Sequence, residues 1–136
     1  MNNYTENKLI ADEGFRSKPY LCTNGVLTFG HGLTYITEEE SREIVQGRIK
    51  SLSTQVDNIL KQRVIRLSDI RKSILVQMAF QMGVNGVLLF KNMWKALEVG
   101  NYELAAVEML DSKWAKSDSP ARAERLAKIM REGKDG

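Results

Sequence analysis

Apolar residues recur at three- and four-residue steps through most of this chain, so most of it reads as helix. Val45, Ile49, Leu52, Val56, Ile59 and Leu60 follow Thr37-Glu38-Glu39-Glu40, a capping box, and together they predict one helix over about 37–61. At about 1.5 Å per residue its roughly 24 residues extend about 36 Å, enough to join two lobes. Ser68 and Asp69 cap the next helix, where Ile70, Ile74, Leu75, Met78 and Phe80 leave few polar sides, so it is expected to be central and to end at Gly83. Helices over Asn85–Val99 and Asn101–Lys113 follow. Ser119-Pro120 starts the last one, which runs to about Glu132 before Gly133, and the tail 133–136 is expected to fray.

The first third reads differently. Leu9 and Ile10 lie in a short helical pattern, Tyr4–Asp12, and Gly14 offers the positive φ that lets a chain leave a helix. Between Pro19 and Gly30, Tyr20, Val26, Thr28 and Phe29 surround Thr23-Asn24-Gly25, and Asn-Gly is the preferred pair for a tight hairpin turn. The fold class is therefore α+β and mostly helical: a small N-terminal β-hairpin lobe, a linking helix, and a helical C-terminal lobe. The chain is read as a single domain, 1–136. Its N-terminal lobe covers about 13–36 and its helical lobe about 62–132, with helix 4–12 packed on the helical lobe and the active-site cleft between the two.

The candidate chemistry sits in this first third. Glu13 stands at the mouth of the first helix. Eight residues later comes Cys22, and five after that Thr28, expected to face Cys22 across the hairpin within one water molecule. Such a spacing can set a carboxylic acid on one side of a cleft and a small polar or nucleophilic pair on the other, the layout needed to cleave a glycosidic bond. Taken singly, the three residues also read as a solvated charge, a half-buried small apolar residue and a strand former.

Composition narrows the field. At 136 residues and 43% hydrophobic, the chain can bury a core of its own. A net charge of +3 fits nucleic acid, an anionic membrane surface or an acidic polymer such as a bacterial wall. The few aromatics are not interleaved with Lys and Arg, and no nucleic-acid-binding signature is present, so nucleic acid is set aside. No run approaches the roughly 18 apolar residues of a membrane span, and the polar start MNNYTENK lacks a secretory signal, so stable membrane insertion is not expected. The single Cys excludes an internal disulfide, and no Cys or His cluster offers a metal site; neither metal nor cofactor is expected.

The segment Glu13–Thr34 resembles the catalytic segment of the phage-type lysozymes, glycoside hydrolase family 24. Glu13-Gly14, Arg16, Lys18, Tyr20, Cys22, Gly25, Thr28, Gly30 and Gly32 fall where that family places such residues. Further on, Met78-Ala-Phe-Gln-Met-Gly83, Lys113-Trp114 and Ser119-Pro-Ala-Arg-Ala-Glu-Arg-Leu126 are similar to the helical lobe of its T-even members. Three departures stand out. Cys22 replaces the usual Asp. The order Gly30-His31-Gly32 leaves the family's structural His unmatched, so His31 is not given that role. Only about eight residues separate Thr28 from the next helix, a reduced β-region.

The resemblance implies roles residue by residue. Glu13 would be the general acid, its pKa raised by partial burial and pulled down by Arg122. Thr28 would orient the water, with Cys22 beside it as thiolate stabiliser, nucleophile or neutral helper. A free thiol with pKa near 8.5 supplies little charge at pH 7 unless Arg16, Lys18 or another cation lowers it. Gln81 would contact the glycan, with Trp114 supporting it. Arg125 would pair with Asp12 and tie the last helix to the first, and Gly30 would support the turn. The implied activity is that of a lysozyme or endolysin, a peptidoglycan muramidase. It would be a monomer, held in the host cytoplasm until a holin releases it to the wall in the periplasm. A binding-only descendant, a lytic transglycosylase and a plain helical interaction module are the competing readings.

Overall fold

A computed structural model describes residues 3–136. In it α1 (Tyr4–Glu13) stops at Gly14, whose φ of 67° and ψ of 169° suit glycine, while its N–H still donates to the Ile10 carbonyl at 3.0 Å. Glu13 is thus the last residue of the helix. The chain divides into two compact units, and the second begins at Val45.

In the first unit β1 (Arg16–Leu21) and β2 (Leu27–Gly30) pair antiparallel through Arg16 with Gly30, Tyr20 with Thr28, and Leu21 with Leu27. The ladder is irregular between Arg16 and Tyr20, where Pro19 has no N–H to donate. The turn differs from the expected Asn-Gly type. Gly25 N–H donates to the Cys22 carbonyl at 2.9 Å and Cys22 N–H to the Val26 carbonyl at 3.0 Å, which makes Thr23-Asn24 the central pair. Gly25 alone in the turn takes positive φ, 80°, so it is the bulge residue of a three-residue loop. A second reversal follows at once. Phe29 and Leu33 exchange two 2.8 Å hydrogen bonds across Gly30-His31-Gly32, with both glycines at positive φ. Among the described residues of this unit Thr28 is the sole buried one.

α2 (Glu38–Arg63) starts with the predicted capping box: Thr37 N–H donates to Glu40 Oε1 at 2.9 Å, and Glu40 N–H to Thr37 Oγ1 at 3.1 Å. The two donors facing the Glu40 carboxylate come from Thr37, backbone and side chain, and lower its pKa.

The second unit holds the core. α3 (Asp69–Leu88) is capped by Ser68 and buries Ile74, Leu75, Val76, Met78 and Ala79. Gly83, at φ 81° and ψ 157°, breaks its helical backbone as expected, but the chain resumes helix to Leu88. The helix expected over Asn85–Val99 is instead interrupted at Leu89-Phe90, and α4 (Lys91–Glu98) starts anew. That break lets the Trp94 indole, fully buried, donate to the Val87 carbonyl at 3.0 Å, so the buried N–H has a partner. α5 (Tyr102–Leu110) ends three residues short of Lys113, and a π-helical turn, Trp114–Asp118, precedes α6 (Pro120–Glu132). Gly133 closes α6 in the left-handed region, φ 74°. Arg71 completes that terminus: Nε donates to the Met130 carbonyl at 2.8 Å, Nη2 to the Arg131 carbonyl at 3.1 Å, and the guanidinium lies 3.5 Å from the Tyr102 ring centre. No single helix among the described residues is long and apolar enough to cross a membrane.

Candidate active site

Glu13 emerges where α1 ends, and its side chain lies against the second glycine turn. A β-carbon built on Gly32 would meet the Glu13 carboxyl carbon at 2.6 Å and its Cγ at 2.9 Å, so only a glycine leaves room for the acid there. Gly30, at φ 59°, lies in the same turn, and a β-carbon there would meet Leu33 at 3.3 Å. The carboxylate is exposed, in contrast to the partial burial expected of it. Beside it, the exposed His31 ring meets Phe15 at a centroid distance of 5.3 Å.

Cys22 and Thr28 do come together, though diagonally and not face to face. Cys22 is hydrogen-bonded to Val26 and Thr28 pairs with Tyr20, so the two lie two rungs apart with Leu21–Leu27 between them, as a diagonal pair on one face of the hairpin. The neutral thiol donates to Asn24 Oδ1, and the Thr28 hydroxyl donates to the Val26 carbonyl at 3.2 Å. The Cys22 pKa is lowered from its ordinary value. The largest cause is the Asn24 backbone N–H, followed by that of Val26; desolvation opposes them, and the Thr28 hydroxyl adds to them. The lowering comes chiefly from amides of the turn, with neither Arg16 nor Lys18 among its causes. Arg16 stands over the Tyr20 ring at 4.8 Å.

In the second unit three predicted residues form one network around Gln81. Its Oε1 accepts from Trp114 Nε1 at 3.0 Å and from Arg122 Nη1 at 3.2 Å, and its Nε2 donates to Ser119 Oγ at 2.6 Å. Gln81 projects from the exposed side of α3, but most of its amide is engaged within the protein. Trp114 is 5% exposed and also meets Phe90 edge-on at 6.2 Å. Ser119 both starts α6 and accepts from Gln81, and the second role has no signal in local sequence. Arg122 and Arg125, both on α6, border a groove of about 360 Å³ lined also by Val45, Ile49, Val76 and Phe80. Asp12 lies exposed in the last turn of α1. Among the described residues no three His, Cys, Asp or Glu side chains gather as a metal site.

The sequence matches the phage lysozyme family over residues 11–131. It is 34% identical over 103 residues to a "Probable T4-type lysozyme 1" of Dictyostelium discoideum, covering 72% of this chain and 58% of that protein. It is 28% identical over an alignment of 158 residues to the "Pre-baseplate central spike protein Gp5" of Enterobacteria phage T4, covering 92% of this chain and 27% of that protein. A "Probable T4-type lysozyme 2" of Dictyostelium discoideum is 35% identical over 63 residues, 46% of this chain and 36% of its own length. The chain thus spans between about a quarter and three fifths of the length of these relatives. The alignment with the phage protein is longer than this chain of 136 residues, so that relative has residues with no counterpart here.

Proposed function

Because the chain belongs to the phage lysozyme family, we propose that it hydrolyses bacterial peptidoglycan at the β-1,4 bond between N-acetylmuramic acid and N-acetylglucosamine, with Glu13 as general acid. The observation that carries this reading is the setting of Glu13, the final residue of α1, laid over Gly32 in the same unit as the Cys22–Thr28 pair. In the proposed reaction Glu13 gives its proton to the leaving glycosidic oxygen as that bond breaks. A water oxygen bonds to the anomeric carbon and loses a proton to solvent.

Cys22 takes the place of the family's Asp. Its donors from the turn increase the thiolate fraction near neutral pH, and a thiolate stabilises the oxocarbenium-like transition state by charge. Thr28 orients the water. Its one hydroxyl proton serves either the Val26 carbonyl or the Cys22 thiolate, which leaves its lone pairs for the water. Arg122 is proposed as a substrate-binding residue together with Gln81 and Trp114, its guanidinium held by Gln81, whose amide is in turn fixed by Trp114. Asp12 in α1 and Arg125 in α6 are proposed as structurally supporting residues. Release from the host cytoplasm by a holin and action in the periplasm complete the proposal.

A protein that binds the wall without cutting it is the second reading, favoured by the lack of a carboxylate at position 22. Cys22→Asp separates the two: a gain from no activity to ready cleavage assigns the natural chain to binding. Reducing new ends mark a hydrolase, and anhydro ends a lytic transglycosylase.

A further inference from the structure

We propose that Phe15 and His31 form a glycan-stacking step that holds a sugar ring of the substrate strand next to Glu13; this rests on the reading of the chain as a glycan-cleaving enzyme. Three observations place the step. The β1–β2 ladder ends at the pair Arg16 and Gly30, and Phe15 and His31 are the next residue outward on each strand. Their rings meet at 5.3 Å with a tilt of 47°, so the two segments carry adjoining, angled ring faces. Both segments are also pinned to the acid: Phe15 is two residues beyond Glu13, and His31 adjoins Gly32, over whose Cα the Glu13 carboxylate lies.

The surface is open to a ligand. Phe15 is 65% exposed and His31 is exposed. The ring of Phe15 presents an apolar face that the C–H side of a pyranose covers, and the His31 imidazole adds a nitrogen able to bond a hydroxyl or acetamido group. A His in this position follows from the order Gly30-His31-Gly32, in which two positive-φ glycines put the residue between them at the tip of the turn.

The test uses the full chain and soluble glycan strands stripped of their stem peptides. Phe15→Leu keeps apolar volume but removes the flat ring, and Phe15→Trp enlarges the ring. For Phe15→Leu the expected result is a KM raised roughly three- to tenfold with kcat little changed and an unchanged melting temperature; Phe15→Trp recovers most of the affinity. His31→Ala raises KM in the same direction. A KM for Phe15→Leu equal to wild type, or equal losses in the Leu and Trp variants, overturns the proposal. Binding of the same strands is also measured in a Glu13→Gln background, so a chain that binds without cutting still gives an answer. Weaker binding on adding Phe15→Leu upholds the step, and equal binding removes it.

Discussion

The Glu13 carboxylate lies over the α-carbon of Gly32, so closely that a single added β-carbon would come within 2.6 Å of its carboxyl carbon. One glycine therefore determines where the acid can rest. Gly32→Ala carries two burdens, the displaced acid and a methyl group at φ 74°. Gly100→Ala carries the second alone, since φ there is 68° and nothing lies within 4 Å of the new atom. Gly100→Ala is expected to lose about 1–2 kcal/mol in urea unfolding, and Gly32→Ala at least as much. Gly32→Ala is expected to lose at least roughly tenfold in kcat/KM as well, since a catalytic group moved by about 1 Å loses much of its effect. Equal activities in the two variants would show that the contact is immaterial.

Gln81→Leu removes one acceptor from Trp114 and Arg122 and one donor to Ser119. Because the indole is almost wholly buried, its N–H is left without a partner. The expected cost is about 1–3 kcal/mol. Gln81→Glu keeps the acceptor for both donors and should lose less. Urea midpoints of the two variants check this.

Cys22 is expected to react with iodoacetamide through a midpoint below that of a free thiol, because backbone N–H groups of Asn24 and Val26 and the Thr28 hydroxyl favour its thiolate. The sign is simple: a lowered pKa puts the rise in alkylation rate at lower pH. Thr28→Val, which removes one of those donors, should shift the midpoint up. If the wild-type profile matches that of a model peptide, the turn does not hold the sulfur as described.

Arg71→Ala deletes two hydrogen bonds to the last carbonyls of α6 and the contact with Tyr102. A loss of about 1–3 kcal/mol is expected, and Arg71→Lys should restore little of it because an ammonium lacks the planar fork. Thermal unfolding measures both.

What could be read in advance was whatever local chemistry decides. Thr37 with Glu40, Ser119-Pro120 and Gly133 carry their own capping logic, and α2 and α6 run close to where those residues put them. The break at Leu89-Phe90 escaped because apolar positions continue past it in helical register, while the bond it allows, from the Trp94 indole back to Val87, is a tertiary contact with no local signal. Asn24-Gly25 signalled a hairpin correctly but not its geometry, since Asn24 keeps a negative φ and only Gly25 turns left-handed. At the site, spacing brought Cys22 and Thr28 together. The direction of the Cys22 shift had no sequence signal, because it arises from backbone amides whose orientation depends on the turn type. Likewise, both glycines of Gly30-His31-Gly32 match the family's pattern, and only their surroundings show that Gly32 is the one against the acid.

The central claim is that Glu13 is the proton donor of a glycan-cleaving enzyme. Purified peptidoglycan incubated with the wild-type chain and with Glu13→Gln, followed by mass analysis of the soluble products, tests it most directly. The account predicts fragments with reducing muramic ends from the wild type and a loss of roughly 10²–10⁴-fold in their release by the variant. Equal release by both proteins, or none from the wild type while it still binds the wall, would contradict it.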